Sequence, residues 1–257
     1  MSDARTIIIM PAHNEAANLP LVFADLRRHA PDVDVVVVDD ASSDETPAIA
    51  AQLGAAVVTL SCNLGYGGAV QTGFKYAVEN GYDYAVMMDA DGQHDPEFIP
   101  SLLAPVLAGE ADVAIGSRFL GVMDYEAGWA KRAGMAIFGA IAAHFTGRHV
   151  TDPTSGFQAL NRKALRFFAR DNYPSDYPDT DTLLLLHYAG FRVVEVPVRI
   201  RGRLAGVSMH SSWKVFYYVF KMFLSIFMVL LRQKTHDNAH CSSDADGSAN
   251  DAAEREC

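Results

Sequence analysis

Cysteine and positive charge are both scarce in this chain of 257 residues. The three cysteines, Cys62, Cys241 and Cys257, lie far apart and include no CxxC pair, so neither a disulfide framework nor a zinc site is predicted. This cysteine usage favours a reducing, cytoplasmic location. Lysine and arginine number 21 against 31 acidic residues, a formal net charge of −10. Because phosphate backbones need concentrated positive charge, this balance argues against a nucleic-acid partner.

A secretion signal and internal repeats are missing as well. The sequence passes from Met1 directly into the apolar run 6–10, without a charged segment followed by a long apolar segment, and we therefore expect no export. Half of the residues are apolar, which is enough for a sizeable core and excludes a disordered or fibrous chain.

The positive charge that is present gathers near the C-terminus. Residues 192–234 contain eight basic residues and one acid, Glu195, a net charge of +7 in a chain that is otherwise acidic. This asymmetry predicts that one end of the protein faces an anionic surface or ligand.

The first half of the chain alternates short β-branched runs with helical stretches. Strands are predicted at 6–10, 33–38, 56–60, 84–88 and 112–115. Helices are predicted between them at 18–29, 46–53, 69–80 and 99–108. Apolar runs such as the four valines 35–38 indicate strands buried on both faces, as in a parallel sheet covered by helices. The pattern predicts an α/β protein with an open, mostly parallel sheet and helices on both faces.

The second half is less regular. The predicted elements are a helix at 129–145, a turn-rich segment at 151–156, a helix at 182–189 and a strand at 191–199. Because no linker interrupts residues 1–210, we expect them to form one domain, with residues 211–232 as a helical appendage. The tail 233–257 is small and polar, with six acids and two bases, and is predicted to be disordered.

The helical appendage contains a long apolar stretch at 213–231. Its 19 residues come close to the roughly 20 that cross a bilayer. Basic and polar residues nevertheless recur along one side at helical spacing, opposite a broad face that includes Phe216, Phe220, Phe223 and Phe227. This pattern predicts a helix that lies in the membrane interface; a membrane span and a helix packed on the protein's own sheet are the alternatives.

Polar clusters follow four of the predicted strands, at the edge where parallel sheets bind ligands. They occupy residues 11–15, 39–44, 63–68 and 89–94. In the fourth cluster, Asp89 and Asp91 alternate along an extended segment and offer hard oxygen ligands for Mg²⁺ or Mn²⁺. A solvated turn is the alternative for an isolated Asp-x-Asp, and the neighbouring polar strand ends favour the metal.

The second and third clusters suit a nucleotide. Asp39 and Asp40 end the most apolar strand, where an acid accepts hydrogen bonds from a nucleobase or ribose. Ser43 and Asp44 are expected to cap the next helix instead. Residues 63–68 match neither a Walker loop nor GxGxxG, so their glycines are expected to allow a tight turn and close packing against the ligand.

Together with Gly116-Ser117-Arg118, these clusters resemble glycosyltransferase family 2, the inverting enzymes of the GT-A fold. The resemblance is strongest to its polyprenyl-phosphate sugar transferases, such as the dolichyl-phosphate mannose synthases. It extends from residue 7 to about residue 208 and preserves the order and spacing of the clusters. It implies a nucleotide-diphosphate sugar as donor, a polyprenyl phosphate as acceptor and Mg²⁺ or Mn²⁺ as cofactor.

The resemblance also implies roles for individual positions. The nucleotide is held at the positions Pro11, Ala12, Asn14, Glu15 and Asp40. Nucleotide phosphate and metal are bound at Asp89, Asp91 and Gln93. Phosphates of the donor or the lipid acceptor are bound at Arg118, Arg203 and Arg132. A guanidinium suits this role because it pairs with two phosphate oxygens at once, and a solvated surface arginine is the alternative at all three positions.

Sugar transfer with inversion often needs a carboxylate that deprotonates the acceptor. The family usually has acidic residues before a helix, here within 177–182, and we expect the base at Asp179, with Asp181 as the second candidate. Either acid alternatively stabilises the N-terminus of that helix. A base matters less if the acceptor is a lipid phosphate, which is already ionised at neutral pH.

The predicted function is sugar transfer to undecaprenyl or dolichyl phosphate at the cytoplasmic face of the membrane. A glycosyltransferase that acts on a glycan or a lipid-linked saccharide is the first alternative. A sugar-1-phosphate nucleotidyltransferase is disfavoured because the first strand is not followed by a glycine-rich loop with a basic residue. A nucleotide-sugar sensor without activity is disfavoured by the intact Asp89 and Asp91.

Overall fold

The computed structural model describes residues 4–120, 150–170, 173–174 and 180–202. The predicted helix at 129–145, the amphipathic appendage 211–232 and the tail 233–257 lie outside the described residues. The same holds for three predicted site residues, Arg132, Asp179 and Arg203. Among the helices that are described, none has the length and apolar character needed to cross a bilayer.

Strands and helices alternate through the first part of the chain, as predicted. They are β1 (Thr6–Ala12), α1 (Leu19–His29), β2 (Asp34–Asp39), α2 (Thr46–Gln52), β3 (Ala56–Thr59), α3 (Gly65–Glu79), β4 (Tyr84–Met87), α4 (Ile99–Leu107) and β5 (Val113–Ser117). A short 3₁₀ turn, Pro96–Phe98, precedes α4. Every predicted boundary here agrees within two residues, except that α3 begins four residues earlier than predicted.

Four further elements follow. They are β6 (Gln158–Asn161), α5 (Arg162–Phe168), α6 (Thr180–Tyr188) and β7 (Val193–Pro197). The sequence predicts α6 and β7 but neither β6 nor α5, because β6 has only four residues and runs into α5 without a turn. One available signal is Asn161, whose side chain accepts a hydrogen bond from the backbone N–H of Ala164 at 3.0 Å and so caps α5.

The strands form one sheet in the order β3-β2-β1-β4-β6-β5-β7. Within the described residues, β6 is the one strand that runs against its neighbours, and the other pairs are parallel. The carboxyl ends of all six parallel strands, β1 to β5 and β7, therefore meet at one edge of the sheet. Because β6 begins at that edge, the turn-rich segment 151–156 is also brought there.

Apolar side chains cover both faces of the sheet. Alternate residues of β1 point to opposite faces: Ile7 and Ile9 pack in the core formed with α3, α5 and α6. Ile8 and Met10 pack in the core formed with α1, α2 and α4. All four are buried, and each contributes about 1.5 to 3 kcal/mol to folding. This confirms the predicted α/β architecture and gives the loops at the carboxyl edge a rigid base.

Candidate active site

The carboxyl edge of the sheet holds a cavity of about 110 Å³. Its lining residues are Asp89, Gln93, His94, Arg118, Thr154, Ser155, Gly156 and Ile200. Three of them, Asp89, Gln93 and Arg118, are predicted site residues, and they come from the loops after two different strands. The structure therefore brings the predicted metal loop and one predicted phosphate-binding arginine to the same space.

Asp89 follows β4 and is held from two sides. Its Oδ1 accepts a hydrogen bond from the hydroxyl of Tyr66 at 2.9 Å. Its backbone N–H donates to Nδ1 of His94 at 3.0 Å, which places the proton of the neutral imidazole on Nε2. His94 is buried and stacks on Phe157, with ring centroids 5.0 Å apart. The Asp89 side chain retains 30% of its exposure, so its carboxylate is accessible from the cavity.

Asp91 differs from Asp89 in its surroundings. It is buried, and its Oδ1 accepts a hydrogen bond from the backbone N–H of Gln93 at 3.0 Å. Asp89 and Gln93 line the cavity, and Asp91 does not. The Asp-x-Asp segment therefore presents one carboxylate to the cavity and uses the other to shape its own turn.

The oxygen donors of this loop fit a divalent cation that is shared with a substrate. In the part of the chain that the structure describes, no group of three His, Cys, Asp or Glu residues is arranged to hold a metal ion. Mg²⁺ needs no such cage, because it is commonly bound by one or two carboxylates together with substrate phosphates. Asp89 and Gln93 beside an open cavity match that requirement.

Arg118 follows β5 and forms a bidentate ion pair with Asp152. Its Nε and Nη2 donate to the two carboxylate oxygens, both at 2.6 Å. Nη2 also donates to the hydroxyl of Thr154 at 2.8 Å. Asp152 is completely buried, whereas the Arg118 side chain keeps 15% of its exposure at the cavity. The pair fixes a planar cation at the cavity wall, which suits the binding of a phosphate.

Glu195 supports Asp152 from β7. Its carboxylate accepts hydrogen bonds from the backbone N–H groups of Thr151 and Asp152, each at 2.9 Å. It also accepts one from the Thr151 hydroxyl at 2.8 Å. The single acid of the basic segment 192–234 thus holds the loop that carries Asp152. Sequence reasoning misses Asp152 and Glu195 because their contacts join residues 34 and 43 positions apart.

Asp40 caps α3, a role that the sequence does not predict for it. It is buried, and its two oxygens accept hydrogen bonds from the backbone N–H groups of Leu64 and Gly65 at 2.7 and 3.0 Å. Gly65 has a φ of +80°, which glycine adopts without strain. Because α3 begins at Gly65, the glycines at 67 and 68 lie inside the helix and not in the predicted tight turn.

The predicted nucleotide-binding segment follows β1. Pro11 and Ala12 end that strand and pair with β2. Asn14 adopts a φ of +57°, and its Oδ1 accepts a hydrogen bond from the backbone N–H of Ser43 at 2.8 Å. The backbone N–H of Glu15 donates a hydrogen bond to the hydroxyl of Thr46, the first residue of α2, at 2.8 Å. These contacts join the loops after β1 and β2 into one continuous rim.

The structure confirms the prediction that Asp44 caps α2. Its Oδ1 accepts hydrogen bonds from the backbone N–H and the hydroxyl of Thr46. Burial acts to raise the pKa of the Asp44 carboxyl, but the hydrogen bonds from Thr46 and from the backbone of Ala16 outweigh it and lower the pKa below its ordinary value. Ser43, the other predicted cap, contacts the loop after β1 instead.

Three arginines of the basic segment pair with acids of the same domain. The pairs are Arg192–Asp112, Arg199–Asp95, Arg201–Asp95 and Arg201–Asp25, with N–O distances of 3.5, 3.7, 2.7 and 2.5 Å. These pairs balance the charge of the three arginines, and the expectation that the segment faces an anionic partner stays a prediction. The other five basic residues of the segment lie outside the described residues.

Asp181, the second candidate for the catalytic base, lies in the first turn of α6. It is buried, and its Oδ1 accepts a hydrogen bond from the backbone N–H of Thr182 at 2.8 Å. This contact agrees with the alternative role of stabilising the helix N-terminus.

Comparison with known proteins gives a consistent result. Residues 7–168 match the model of the family described as Glycosyl transferase family 2. The chain is 34% identical over 228 residues to the polyprenol monophosphomannose synthase of Mycolicibacterium smegmatis, with 85% of each chain covered. It is 36% identical over 219 residues to the undecaprenyl-phosphate mannosyltransferase of Micrococcus luteus, with 81% of this chain and 88% of the relative covered.

A solved structure is similar as well. It is glucosyl-3-phosphoglycerate synthase from Mycobacterium tuberculosis in complex with Mn²⁺, uridine-diphosphate-glucose and phosphoglyceric acid, with a TM-score of 0.64 at 19% identity over 89% of this chain and 80% of that one. At this identity the likeness establishes the fold alone, a GT-A-like α/β fold with a mostly parallel mixed sheet. With the family match over more than half of the chain and two relatives above 30% identity, the chain belongs to glycosyltransferase family 2.

Proposed function

We propose that this protein transfers a sugar from a nucleotide-diphosphate sugar to a polyprenyl phosphate. The observation that carries the proposal is the cavity at the carboxyl edge, where Asp89, Gln93 and Arg118 line one space. The oxygen atoms of Asp89 and Gln93 can bind a cation, and the guanidinium of Arg118 can bind a phosphate. Together they suit the binding of a diphosphate leaving group. Two relatives bear the names of a polyprenol monophosphomannose synthase and an undecaprenyl-phosphate mannosyltransferase, which supports this acceptor and makes mannose the first sugar to test.

On the donor side, we assign Mg²⁺ or Mn²⁺ to the loop that contains Asp89, Asp91 and Gln93. The bound ion supplies positive charge that stabilises the departing diphosphate. Asp89 offers an accessible carboxylate, and Asp91 holds the turn through the backbone N–H of Gln93. Structures of glucosyl-3-phosphoglycerate synthase with Mn²⁺ or with Mg²⁺ support a divalent cation in this fold. We assign a donor or acceptor phosphate to Arg118.

The nucleotide is assigned to the rim formed by the loops after β1 and β2. The residues that we expect to contact it are Pro11, Ala12, Asn14, Glu15, Asp40 and Arg132. The capping bonds of Asp40 are compatible with this role, because two carboxylate oxygens have about four lone-pair directions and two backbone bonds occupy only part of them.

The transfer itself joins an acceptor oxygen to the anomeric carbon while the bond from that carbon to the diphosphate breaks. A phosphate monoester has a second pKa of about 6 and needs no base at neutral pH. For an acceptor that must lose a proton, we place the base at Asp179. Asp181 is the second choice, since its carboxylate already contacts the first turn of α6.

We further propose that the protein acts at the cytoplasmic face of the membrane. A polyprenyl chain stays in the bilayer, so its phosphate must be reached at the surface. The predicted interfacial helix within 211–232 would bring Arg203, which is assigned to the lipid phosphate, close to that surface. Replacing Phe216, Phe220, Phe223 and Phe227 with serine in the full chain should abolish flotation with anionic vesicles. Equal flotation of the two proteins would contradict this role of the helix.

The reaction is tested with the full chain and vesicles that contain undecaprenyl phosphate. Guanosine- and uridine-diphosphate sugars, beginning with those of mannose, are supplied with and without Mn²⁺. We expect a metal-dependent sugar–phosphate–polyprenol product and release of the nucleoside diphosphate. Three outcomes would overturn the proposal. Transfer only to a glycan or a lipid-linked saccharide would favour the glycosyltransferase with another acceptor, and pyrophosphate release from a nucleoside triphosphate would favour the nucleotidyltransferase. Donor binding without turnover would favour the sensor.

A further inference from the structure

Tyr66 lies at the start of α3 and reaches the predicted metal ligand Asp89. Its hydroxyl donates a hydrogen bond to Oδ1 of Asp89 at 2.9 Å, across 23 residues of sequence. The Asp89 side chain is 30% exposed, so burial alone does not prevent its carboxylate from rotating. A hydrogen bond from a fixed aromatic ring restricts that rotation and leaves the carboxylate charge uncancelled, since a phenol is neutral.

Gly156 makes room for the Tyr66 hydroxyl. A Cβ atom at Gly156 would lie 2.8 Å from the Tyr66 hydroxyl oxygen, closer than real Cβ contacts come. The same Cβ would lie 3.7 Å from Oδ1 of Asp89 and 3.7 Å from Cε1 of His94, which are ordinary contacts. The hydroxyl is therefore the group with which a larger residue would clash. A methyl group at this position would therefore displace the Tyr66 hydroxyl, which lies at the end of its side chain next to Asp89.

The opposite side of Asp89 is held by His94. Its Nδ1 accepts the backbone N–H of Asp89 at 3.0 Å, and its ring is stacked on Phe157. Three chain segments thus meet around Asp89. The start of α3 donates a hydrogen bond to its carboxylate, His94 in the loop after β4 holds its backbone N–H, and Gly156 before β6 leaves the space beside Oδ1. Convergence of this kind holds a ligand in place before its ion arrives, which raises metal affinity.

We propose that Tyr66 is a positioning residue that orients the Asp89 carboxylate for a divalent cation, in the space that Gly156 leaves open. This inference rests on the proposed function, because it assumes that Asp89 is a metal ligand. Tyr66 does not itself touch the cation; it acts through Asp89.

The first test is Tyr66→Phe in the full chain, which removes only the hydroxyl. Free Mn²⁺ is followed by electron paramagnetic resonance in the presence of GDP or UDP. We expect the dissociation constant for Mn²⁺ to rise about tenfold. The matched control is Tyr82→Phe, since the Tyr82 hydroxyl donates to Asp34 at 2.8 Å at the opposite edge of the sheet. The control should bind Mn²⁺ as the wild type does.

The second test uses the predicted clash. Gly156→Ala should weaken Mn²⁺ binding by itself, because the added methyl group displaces the Tyr66 hydroxyl. In a Tyr66→Phe background the methyl group no longer meets that oxygen, so Gly156→Ala should add little to the loss already present. Independent losses that multiply in the double variant would overturn the proposal, as would an unchanged Mn²⁺ affinity of Gly156→Ala.

The outcomes separate this inference from the proposed function. If the wild type binds Mn²⁺ and Tyr66→Phe binds it equally well, the positioning role is overturned and the proposed function stands. If the wild type binds no Mn²⁺ with either nucleotide, the metal assignment and this inference are overturned, and the transfer assay decides the proposed function. Thermal unfolding of each variant identifies a misfolded protein. If Tyr66→Phe does not fold, the Mn²⁺ affinity of the single variant Gly156→Ala is compared with that of the wild type and decides the question.

Discussion

The two edges of the sheet use aspartate in different ways. At the amino edge, acids next to the strands pair with arginines: Asp34 with Arg5, Asp83 with Arg162 and Asp112 with Arg192. At the carboxyl edge, Asp152 also pairs with an arginine, but Asp40 accepts hydrogen bonds from backbone N–H groups and Asp89 accepts one from a tyrosine. An arginine cancels the charge of its partner, whereas a neutral donor orients a carboxylate and leaves its charge for a cation. The acids that pair with arginines are therefore structural, whereas Asp89 combines a neutral donor with an accessible carboxylate and is the candidate metal ligand.

Two tyrosine–aspartate pairs illustrate the difference most closely. Tyr82 donates to Asp34 at 2.8 Å, and Tyr66 donates to Asp89 at 2.9 Å. At the amino edge, burial and the hydrogen bond to Asp34 raise the pKa of Tyr82 to about 12, and the guanidinium of Arg5 lies 4.2 Å from the ring centroid. The bond is the same at both edges. What differs is the surroundings: an arginine in one case, and in the other the imidazole of His94, with Nε2 3.9 Å from Oδ2 of Asp89, beside an open cavity.

The largest expected effect is a loss of activity on substitution at the carboxyl edge but not at the amino edge. Asp89→Asn should lower kcat/KM at least about 100-fold, because it removes several kcal/mol of leaving-group stabilisation that depends on the metal. Asp34→Asn, the matched change at the amino edge, should leave kcat/KM within about twofold of the wild type, since it lies far from the cavity lining. Sugar-transfer assays at saturating Mn²⁺ measure both. Equal losses in the two variants would remove the distinction between the edges.

The next effect concerns stability and compares a buried with an exposed ion pair. Asp152→Asn should lower the free energy of unfolding by about 3 kcal/mol, because it leaves the largely buried Arg118 without its charged partner. Asp83→Asn should cost about 1 kcal/mol or less, since its partner Arg162 is 47% exposed on its side chain. Urea unfolding measures both variants. A loss in Asp152→Asn no larger than in Asp83→Asn would contradict the supporting role of Asp152.

The smallest effect is a pH dependence at the amino edge. Burial acts to raise the pKa of Asp112, but hydrogen bonds from the Arg192 backbone and Asn161 and the nearby charges of Lys163 and Arg192 lower it below the usual 3.8. A depressed pKa stabilises the fold above the unfolded-state value, and this stability is lost as the pH falls through the folded-state value. Asp112→Asn should therefore cost about 1 kcal/mol at neutral pH and progressively less below about pH 4. Unfolding curves across that range test the sign; a cost that grows as the pH falls would contradict it.

The regular elements could be predicted because their signals are local. The apolar runs of β1 and β2 are buried on both faces, as their composition requires in a covered parallel sheet. β6 could not be predicted in this way, since its four residues are stabilised by antiparallel pairing with β4 and β5, far away in the sequence. α3 begins early because Asp40, 25 residues before Gly65, caps it.

The candidate site likewise contains residues that the sequence identified and residues whose roles depend on contacts distant in sequence. The spacing of the acids after β4 pointed to Asp89, the resemblance to the family pointed to Gln93 and Arg118, and all three line the cavity. The roles of Tyr66 and Asp152 could not be predicted, because each depends on a contact between residues that are distant in sequence.

By itself, the sequence determined the alternation of strands and helices, the edge at which polar residues gather and the family to which the chain belongs. The first two follow from local composition and from the rule that parallel strands end at one edge, and the family follows from the resemblance of the polar clusters to its motifs. Only the tertiary structure decided which acids keep an accessible charge: Asp89 faces the cavity, while Asp91 and Asp152 are buried against donors. The physical reason is that the availability of a carboxylate depends on neighbours brought by other segments, and residue type and spacing do not specify those neighbours.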